Sequence, residues 1–455
     1  MRTSSAIHLQ LDARFLNDER SNYVSNKQTA SPEVPKIDAA VLKVAAVVVL
    51  GSIMSILDIT VVNVALPTFR SEFGVDRMST VAWTVTAYTL ALAAVIPMAG
   101  WAADRFGTKR LYLLALALFT FGSVLCAAAW SIESLVAFRV IQGLGGGMLM
   151  PLGMTILTRA AGPARIGRLM AIMGIPMLLG PIMGPILGGW LIENASWHWI
   201  FLINLPLGLA AIVYANVVLA KVSVKRSDSF DFIGMLLMSP GLALFLFGVS
   251  SIPETGTMTE PKVWGSMLAG AILVISFVFY SFKPEHPLLD LRLFKNYNLS
   301  IAALTLFVFA GAFFGGLLLV PSYFQQVGGE TALRAGLMMA PQGLGAMLTM
   351  PIAGILADRV PIGRVVPFGL AIISGAMFSL SRLEADTSNA TIMGTLFVMG
   401  LGMGLTMMPL MTSALRTLAA HQVARGSTLI NIVQQVASSA GIAVISGIAC
   451  RLAHA

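Results

Sequence analysis

The chain has 455 residues, of which 57% are hydrophobic and 11% charged, with a mean hydropathy of +0.83 and a formal net charge of +8. A soluble domain is about half apolar and about a quarter charged, so these figures exclude a water-soluble globule. The basic balance would suggest nucleic acid in a soluble protein, but here the placement of the basic residues has a topological explanation and no nucleic-acid partner is expected.

Residues 1–40 are polar, with Ser, Asn, Gln and mixed charges and no apolar run of the kind a cleaved signal peptide needs. They read as a disordered cytoplasmic tail. Apolar runs long enough to cross a bilayer core as helices then recur near 42–66, 80–103, 111–130, 134–158, 168–192, 197–220, 232–252, 263–282, 298–324, 332–357, 365–381, 390–414 and 427–450. The reading is an all-α polytopic membrane protein with about 13 spans. Residues 41–220 form a first six-helix bundle, 221–296 two inserted spans and an amphipathic linker, and 297–455 a second bundle of five spans.

With the N-terminus inside, the tail, Arg105/Lys109/Arg110, Arg159/Arg165/Arg168, Lys221/Lys225/Arg226, Lys283/Arg292/Lys295, Arg359/Arg364 and Arg416/Arg425 share the cytoplasmic side. Only Arg70, Arg77, Lys262, Arg334, Arg382 and Arg451 fall on the other. Basic loops stay cytoplasmic, so the chain is read as a multi-pass protein of the cytoplasmic (inner) membrane, in contact with membrane lipids. A G-x-x-x-D-R pattern closes the second span of each half, as Gly100 to Asp104-Arg105 and as Gly354 to Asp358-Arg359. That is the signature of two parallel repeats about an axis along the membrane normal, a pseudo-two-fold transporter plan.

Two charges lie well inside apolar runs, Asp58 and Arg139. Charge within the membrane is costly and marks function. Low-dielectric surroundings favour the neutral form of a carboxylic acid, which makes Asp58 a candidate to bind and release a proton; the bland alternative is a structural acid. Arginine stays protonated, so Arg139 is a candidate fixed charge beside such an acid. Gln142 and Gly143 share its helical face by spacing. Gly180, Gly184 and Gly188 repeat every four residues, with Gly189 adjacent and Pro181 and Pro185 between. The small residues allow close helix approach, and the prolines remove backbone hydrogen bonds; this is the candidate hinge. Gly100, Asp104, Arg105, Gly107 and Arg110, with Asp358 and Arg359 in the second repeat, form a candidate cytoplasmic latch in which an acid pairs with cations or caps a helix. Trp83, Tyr88 and Gln142 in the first half are candidates for a central substrate cavity. So are Tyr323, Asn431, Gln434 and Gln435 in the second, although polar residues in spans also simply join helices.

These segments together resemble the major facilitator superfamily, in particular its fourteen-span drug:proton antiporters. The likeness rests on Leu57 to Pro67, Gly100 to Arg110, Arg139 to Gly147 and Gly180 to Gly189. It extends to Trp197-His198-Trp199 through Asn204 to Gly208, Pro287 to Phe294 and Pro321 to Gly329. The resemblance implies two bundles rocking about a central site and export of small amphipathic compounds driven by proton entry. It assigns Asp58 as the acid of the first span, Arg139 as the coupling arginine and Gly180–Gly189 as the antiporter hinge. The energy source is a proton gradient, with no cofactor or metal. A periplasmic adaptor and an outer-membrane channel are allowed as partners. Two departures are His198, where the family has arginine, and thirteen spans in place of fourteen. A facilitator importing sugars or organic acids, and a non-transporting receptor or scaffold, stay open as alternatives. The chain has no GxxxxGK[ST] loop for ATP and no nucleophile–base pair or metal-ligand cluster for an enzyme.

Overall fold

The computed structural model describes residues 38–161, 174, 180, 183–184, 186–220, 230–255, 260–284, 287–326, 329, 332–382, 387–416, 418 and 422–453. The expected tail therefore lies almost wholly outside the described residues, as do Pro181, Pro185 and most of 168–192. Among the described residues every regular element is helical.

In chain order the helices are α1 (Ala39–Glu72), α2 (Met78–Phe106), α3 (Thr108–Ala127) and α4 (Ile132–Ala161). Next come α5, described over 186–194 with Gly180 and 183–184 also helical, then α6 (His198–Leu202) and α7 (Asn204–Val218). The inserted pair is α8 (Phe232–Thr255) and α9 (Pro261–Tyr280). The second half holds α10 (Tyr297–Gln326), α11 (Ala332–Arg359), α12 (Ile362–Leu380), α13 (Asn389–Arg416) and α14 (Val423–Ala453). Eleven described stretches are long and apolar enough to cross a membrane, with α6 and α7 counted as one. α1, at 34 residues, is about 51 Å long and outreaches a bilayer core of about 30 Å.

Large apolar side chains point outward in stripes. On α9 these are Trp264, Leu268, Ile272, Ile275 and Phe279, each at least half exposed. Such stripes would be a liability in water and are the expected surface toward lipid. The chain is a multi-pass membrane protein.

α1–α4 with α6–α7 pack as one bundle and α10–α14 as a second. The inserted α8 packs on α2 of the first bundle and on α14 of the second, so it lies across the seam between them. Trp83 is spent on this contact, with its ring 5.5 Å from that of Phe247 on α8. Asp231 ties down the hairpin's entry, accepting from Gly234 N at 2.8 Å, Leu288 N at 2.9 Å and Tyr280 OH at 3.0 Å. The linker after α9 is amphipathic, as expected. Leu288, Leu289 and Leu293 are buried while Arg292 and Lys295 of a 3-10 turn (Leu291–Lys295) are exposed.

The sixth span continues through Ile203, whose φ of −59° and ψ of −27° are helical and whose N–H bonds the Trp199 carbonyl at 3.1 Å. Pro206 has no N–H to bond the carbonyl of Leu202, so one hydrogen bond of the helix is missing just before Asn204. The α2–α3 turn is made by Gly107 at φ +86°, whose N–H caps Ala103 O at 3.1 Å. A side chain would be strained there.

Candidate functional site

The site is built on α4, whose glycines let its neighbours close in. An added Cβ at Gly143 would meet the Tyr88 carbonyl oxygen of α2 at 2.5 Å, and one at Gly145 would strike the Phe119 backbone of α3. Close backbone approach of this kind is what small residues permit. It places Arg139 at the centre of the first bundle with no exposed surface.

Arg139 Nη1 donates to Asp58 Oδ2 of α1 at 2.5 Å, and both side chains are fully buried. Its Nη1 also donates to Gln142 Oε1 at 2.6 Å, and its Nε to the Thr84 carbonyl at 2.9 Å. The guanidinium carbon sits 4.1 Å from the Tyr88 ring centroid, a cation–π contact. Tyr88 OH in turn shares a 3.0 Å hydrogen bond with Ser55 Oγ. Nη2 is buried without a hydrogen-bond partner among the described residues. The other carboxylate oxygen, Asp58 Oδ1, accepts from Gln142 Nε2 at 2.7 Å and from Asn204 Nδ2 of α7 at 3.5 Å. Gln142 and Asn204 both donate to Ser123 Oγ of α3, at 2.6 and 3.2 Å. The Cys126 thiol donates to Gln142 Oε1 at 3.5 Å. A buried ion pair is tolerable only when its remaining lone pairs and protons are satisfied, and five helices contribute to that here.

The glycines of the Gly180–Gly189 segment flank this acid. A Cβ at Gly180 would collide with Ile56, and one at Gly184 with Thr60, the side chains two positions before and after Asp58. A Cβ at Gly188 would lie 3.1 Å from Val61, whereas Gly189 faces open space. The motif thus seats α5 on α1 beside Asp58.

At the end of the bundles that carries the latch, Asp104 lies 3.4 Å from Arg159 Nη2 of its own bundle and 3.8 Å from Arg425 Nε of the second. Gly100 brings α2 against α14, where an added Cβ would meet Thr428 Oγ1 at 3.0 Å. Thr155 and Ser427 hydroxyls are 2.9 Å apart, Ser427 Oγ donates to Pro151 O at 3.2 Å, and Asn431 Nδ2 reaches Met154 Sδ at 3.3 Å. The two halves are closed on each other at this end. Arg105 and Arg110 are exposed, and Asp358 and Arg359 end α11. Exposed or partly exposed ion pairs contribute about 0–1 kcal/mol each. The Arg425 pair is the one that joins the two halves, so Asp104→Asn is expected to shift the closed–open balance by up to about fivefold toward opening at this end. Faster maleimide labelling of Ser427→Cys checks it.

The expected substrate-cavity residues do not form one group. Tyr88 and Gln142 are fully buried in the ion-pair network, not on a cavity wall, because their polar atoms are engaged by Ser55, Asp58, Arg139 and Ser123. Trp83 faces the inserted helix. Asn431 lies in the seam between halves, with Gln434 and Gln435 half-buried further along α14. Tyr323 is near the end of α10. A cavity of about 300 Å³ opens within the second bundle, lined by Phe309, Phe313, Met339, Gln342, Met377 and Met403 among others, and Trp83, Tyr88, Gln142, Asn431, Gln434 and Gln435 are not among its lining residues. Sequence reading also passed over Ser55, Thr84, Ser123, Cys126 and Asn204 as members of the network. Only the likeness of the Trp197–Gly208 segment singled out Asn204.

The chain is 50% identical over 416 residues to a multidrug resistance protein B homolog of Mycobacterium tuberculosis, covering 90% of this chain and 76% of that protein. It is 31% identical over 403 residues to the multidrug export protein EmrB of Escherichia coli, covering 87% and 77%. Among solved structures, the human organic anion transporter MFSD10 (TETRAN) matches with a TM-score of 0.65 at 17% identity, over 90% of this chain and 94% of that one, a likeness of fold. Residues 48–442 match the family model of the Major Facilitator Superfamily. Two helical bundles, a repeated latch motif and this coverage together show that the chain belongs to the major facilitator superfamily.

Proposed function

We propose that this transporter exports small amphipathic organic compounds across the cytoplasmic membrane in exchange for protons, with its N-terminus inside. The observation that carries the reading is the Asp58–Arg139 pair, a carboxylate and a guanidinium fully buried among apolar spans. Charges inside a membrane are costly and mark function where they occur. The printed names of the relatives, a multidrug resistance protein and a multidrug export protein, support the direction and the substrate class.

In this orientation the Asp104–Arg159–Arg425 end faces the cytoplasm, and the described conformation is closed to it. A proton arriving from outside binds Asp58 and cancels its charge. Arg139 loses its counter-charge, and the balance between the two packings of the bundles changes. The latch then opens, substrate loads from inside, and the proton leaves. Coupling requires that proton and substrate each bind the two conformations with different affinity. In a double-membraned cell the same route continues through a periplasmic adaptor and outer-membrane channel.

The test uses inverted membrane vesicles, a fluorescent organic cation and an imposed proton gradient. Accumulation that a protonophore collapses is the expected result. Accumulation indifferent to the protonophore would refute proton exchange.

A further inference from the structure

We propose that Asn204 is a positioning residue that follows the protonation state of Asp58 and passes it on to Ser123 of α3, an inference that rests on Asp58 being the proton-binding group. Asn204 is 3% exposed and opens α7, two residues before Pro206. Its Nδ2 is shared between Asp58 Oδ1 and Ser123 Oγ. One turn on, Gly208 seats α7 so closely on Thr120 of α3 that any added Cβ would collide with its hydroxyl. The backbone carrying the amide is therefore held in place, so a response to Asp58 takes the form of a turn of the amide about its side-chain bonds.

The chemistry separates Asn204 from the other partners. The charged and titratable groups facing Asp58 among the described residues are Arg139 from α4, Tyr88 from α2 and Cys126 from α3; α7 presents the uncharged Asn204. A carboxylate only accepts hydrogen bonds, and a guanidinium only donates. Once Asp58 is protonated its hydroxyl needs an acceptor, which Arg139 cannot supply. A carboxamide both donates and accepts, so half a turn of the Asn204 side chain exchanges its NH2 for its carbonyl oxygen. Gln142 is also an amide, but its oxygen accepts from Arg139 Nη1 and from the Cys126 thiol. Turning it would leave the guanidinium with one more unmet donor, beside an Nη2 that already lacks a partner. Asn204 can turn without touching the arginine, and its bond to Ser123 makes the turn felt on α3, since a hydroxyl donates as readily as it accepts.

The test is infrared difference spectroscopy of the purified full chain on acidification, following the stretch of the protonated carboxyl. Other carboxyls among the chain's 21 Asp and Glu also take up protons, so the Asp58 band is read as the difference between the parent and Asp58→Asn, where the band of a hydrogen-bonded acid should appear. In Asn204→Leu the band should move to higher wavenumber, as an acid without an acceptor does, and Asn204→Ser, which keeps a donor and acceptor, should restore most of the shift. Ser123→Ala, which removes the other anchor of the amide, should move the band in the same direction if Asn204→Leu does not fold. An unmoved band in folded Asn204→Leu or in Ser123→Ala overturns the role of Asn204 alone. No such band in the difference between the parent and Asp58→Asn overturns the proton-binding role of Asp58 and this inference with it.

Discussion

Asp58→Asn should abolish gradient-driven export and at the same time destabilise the first bundle, and the two effects should be separable. The substitution leaves Arg139 charged and fully buried with its counter-charge gone. Removing one partner of a buried pair is destabilising by about 3–5 kcal/mol. Gln142 and the Thr84 carbonyl still accept from the guanidinium, and the Tyr88 ring still lies beneath it, so the expected loss is nearer the lower figure. In the double variant Asp58→Asn/Arg139→Met no charge remains. Replacing a whole buried pair by apolar groups is often neutral or stabilising, so thermal stability in detergent should return toward the parent value while protonophore-sensitive accumulation stays absent. Restored transport in the double variant would mean the pair is a structural brace. Loss of transport with unchanged stability in Asp58→Asn would mean the guanidinium finds another partner.

Gly184→Ala should reduce transport by about fivefold to a hundredfold, while Gly189→Ala should leave it near the parent rate. The two glycines lie five residues apart in one motif, yet an added methyl group at Gly184 would overlap Thr60 whereas at Gly189 it would meet nothing. Thr60 Oγ1 is engaged with the Ile56 and Leu57 carbonyls at 3.1 and 2.9 Å, so it cannot turn aside without leaving its hydroxyl unbonded. α5 would instead have to move away from α1 beside Asp58. Overpacking a tight contact costs about 1–3 kcal/mol, and 1.4 kcal/mol is already a factor of ten in an equilibrium or a rate. Initial rates of organic-cation accumulation, normalised to the amount of folded transporter, check both variants. Equal rates in Gly184→Ala and Gly189→Ala would show that the contact with Thr60 does not control the rocking of the bundles.

The readable part of the site was its charges. Asp58 and Arg139 stand out because either one in an apolar run is anomalous wherever its partner lies, and Gln142 follows from Arg139 by helical spacing. The latch could be read because its pattern recurs in the second half, and Gly107 takes the positive φ that a tight turn demands. Ser123 and Asn204 could not be read this way. Neutral polar side chains occur throughout helical spans, and nothing local distinguishes one that touches a carboxylate from one that bonds its own backbone, as Thr155 does at the Pro151 carbonyl. Tyr88 and Gln142, expected at a substrate cavity, lie in the ion-pair network for a related reason. A buried polar group is equally a cavity lining or a second partner for a charge, and here the ion pair claims both.

Apolar run length, the clustering of basic loops and the high cost of charge in hydrocarbon are properties of short stretches, so the amino-acid order alone determined a polytopic helical protein of two related halves and its two intramembrane charges. The tertiary structure decided which groups meet. Asp58 joins residues 81, 84 and 146 positions away, and Asp104 reaches Arg425 on the opposite half. It also decided that Gly184 abuts Thr60 while Gly189 faces open space. Contacts over such separations depend on helix rotation and backbone approach, set by the packing of five helices at once.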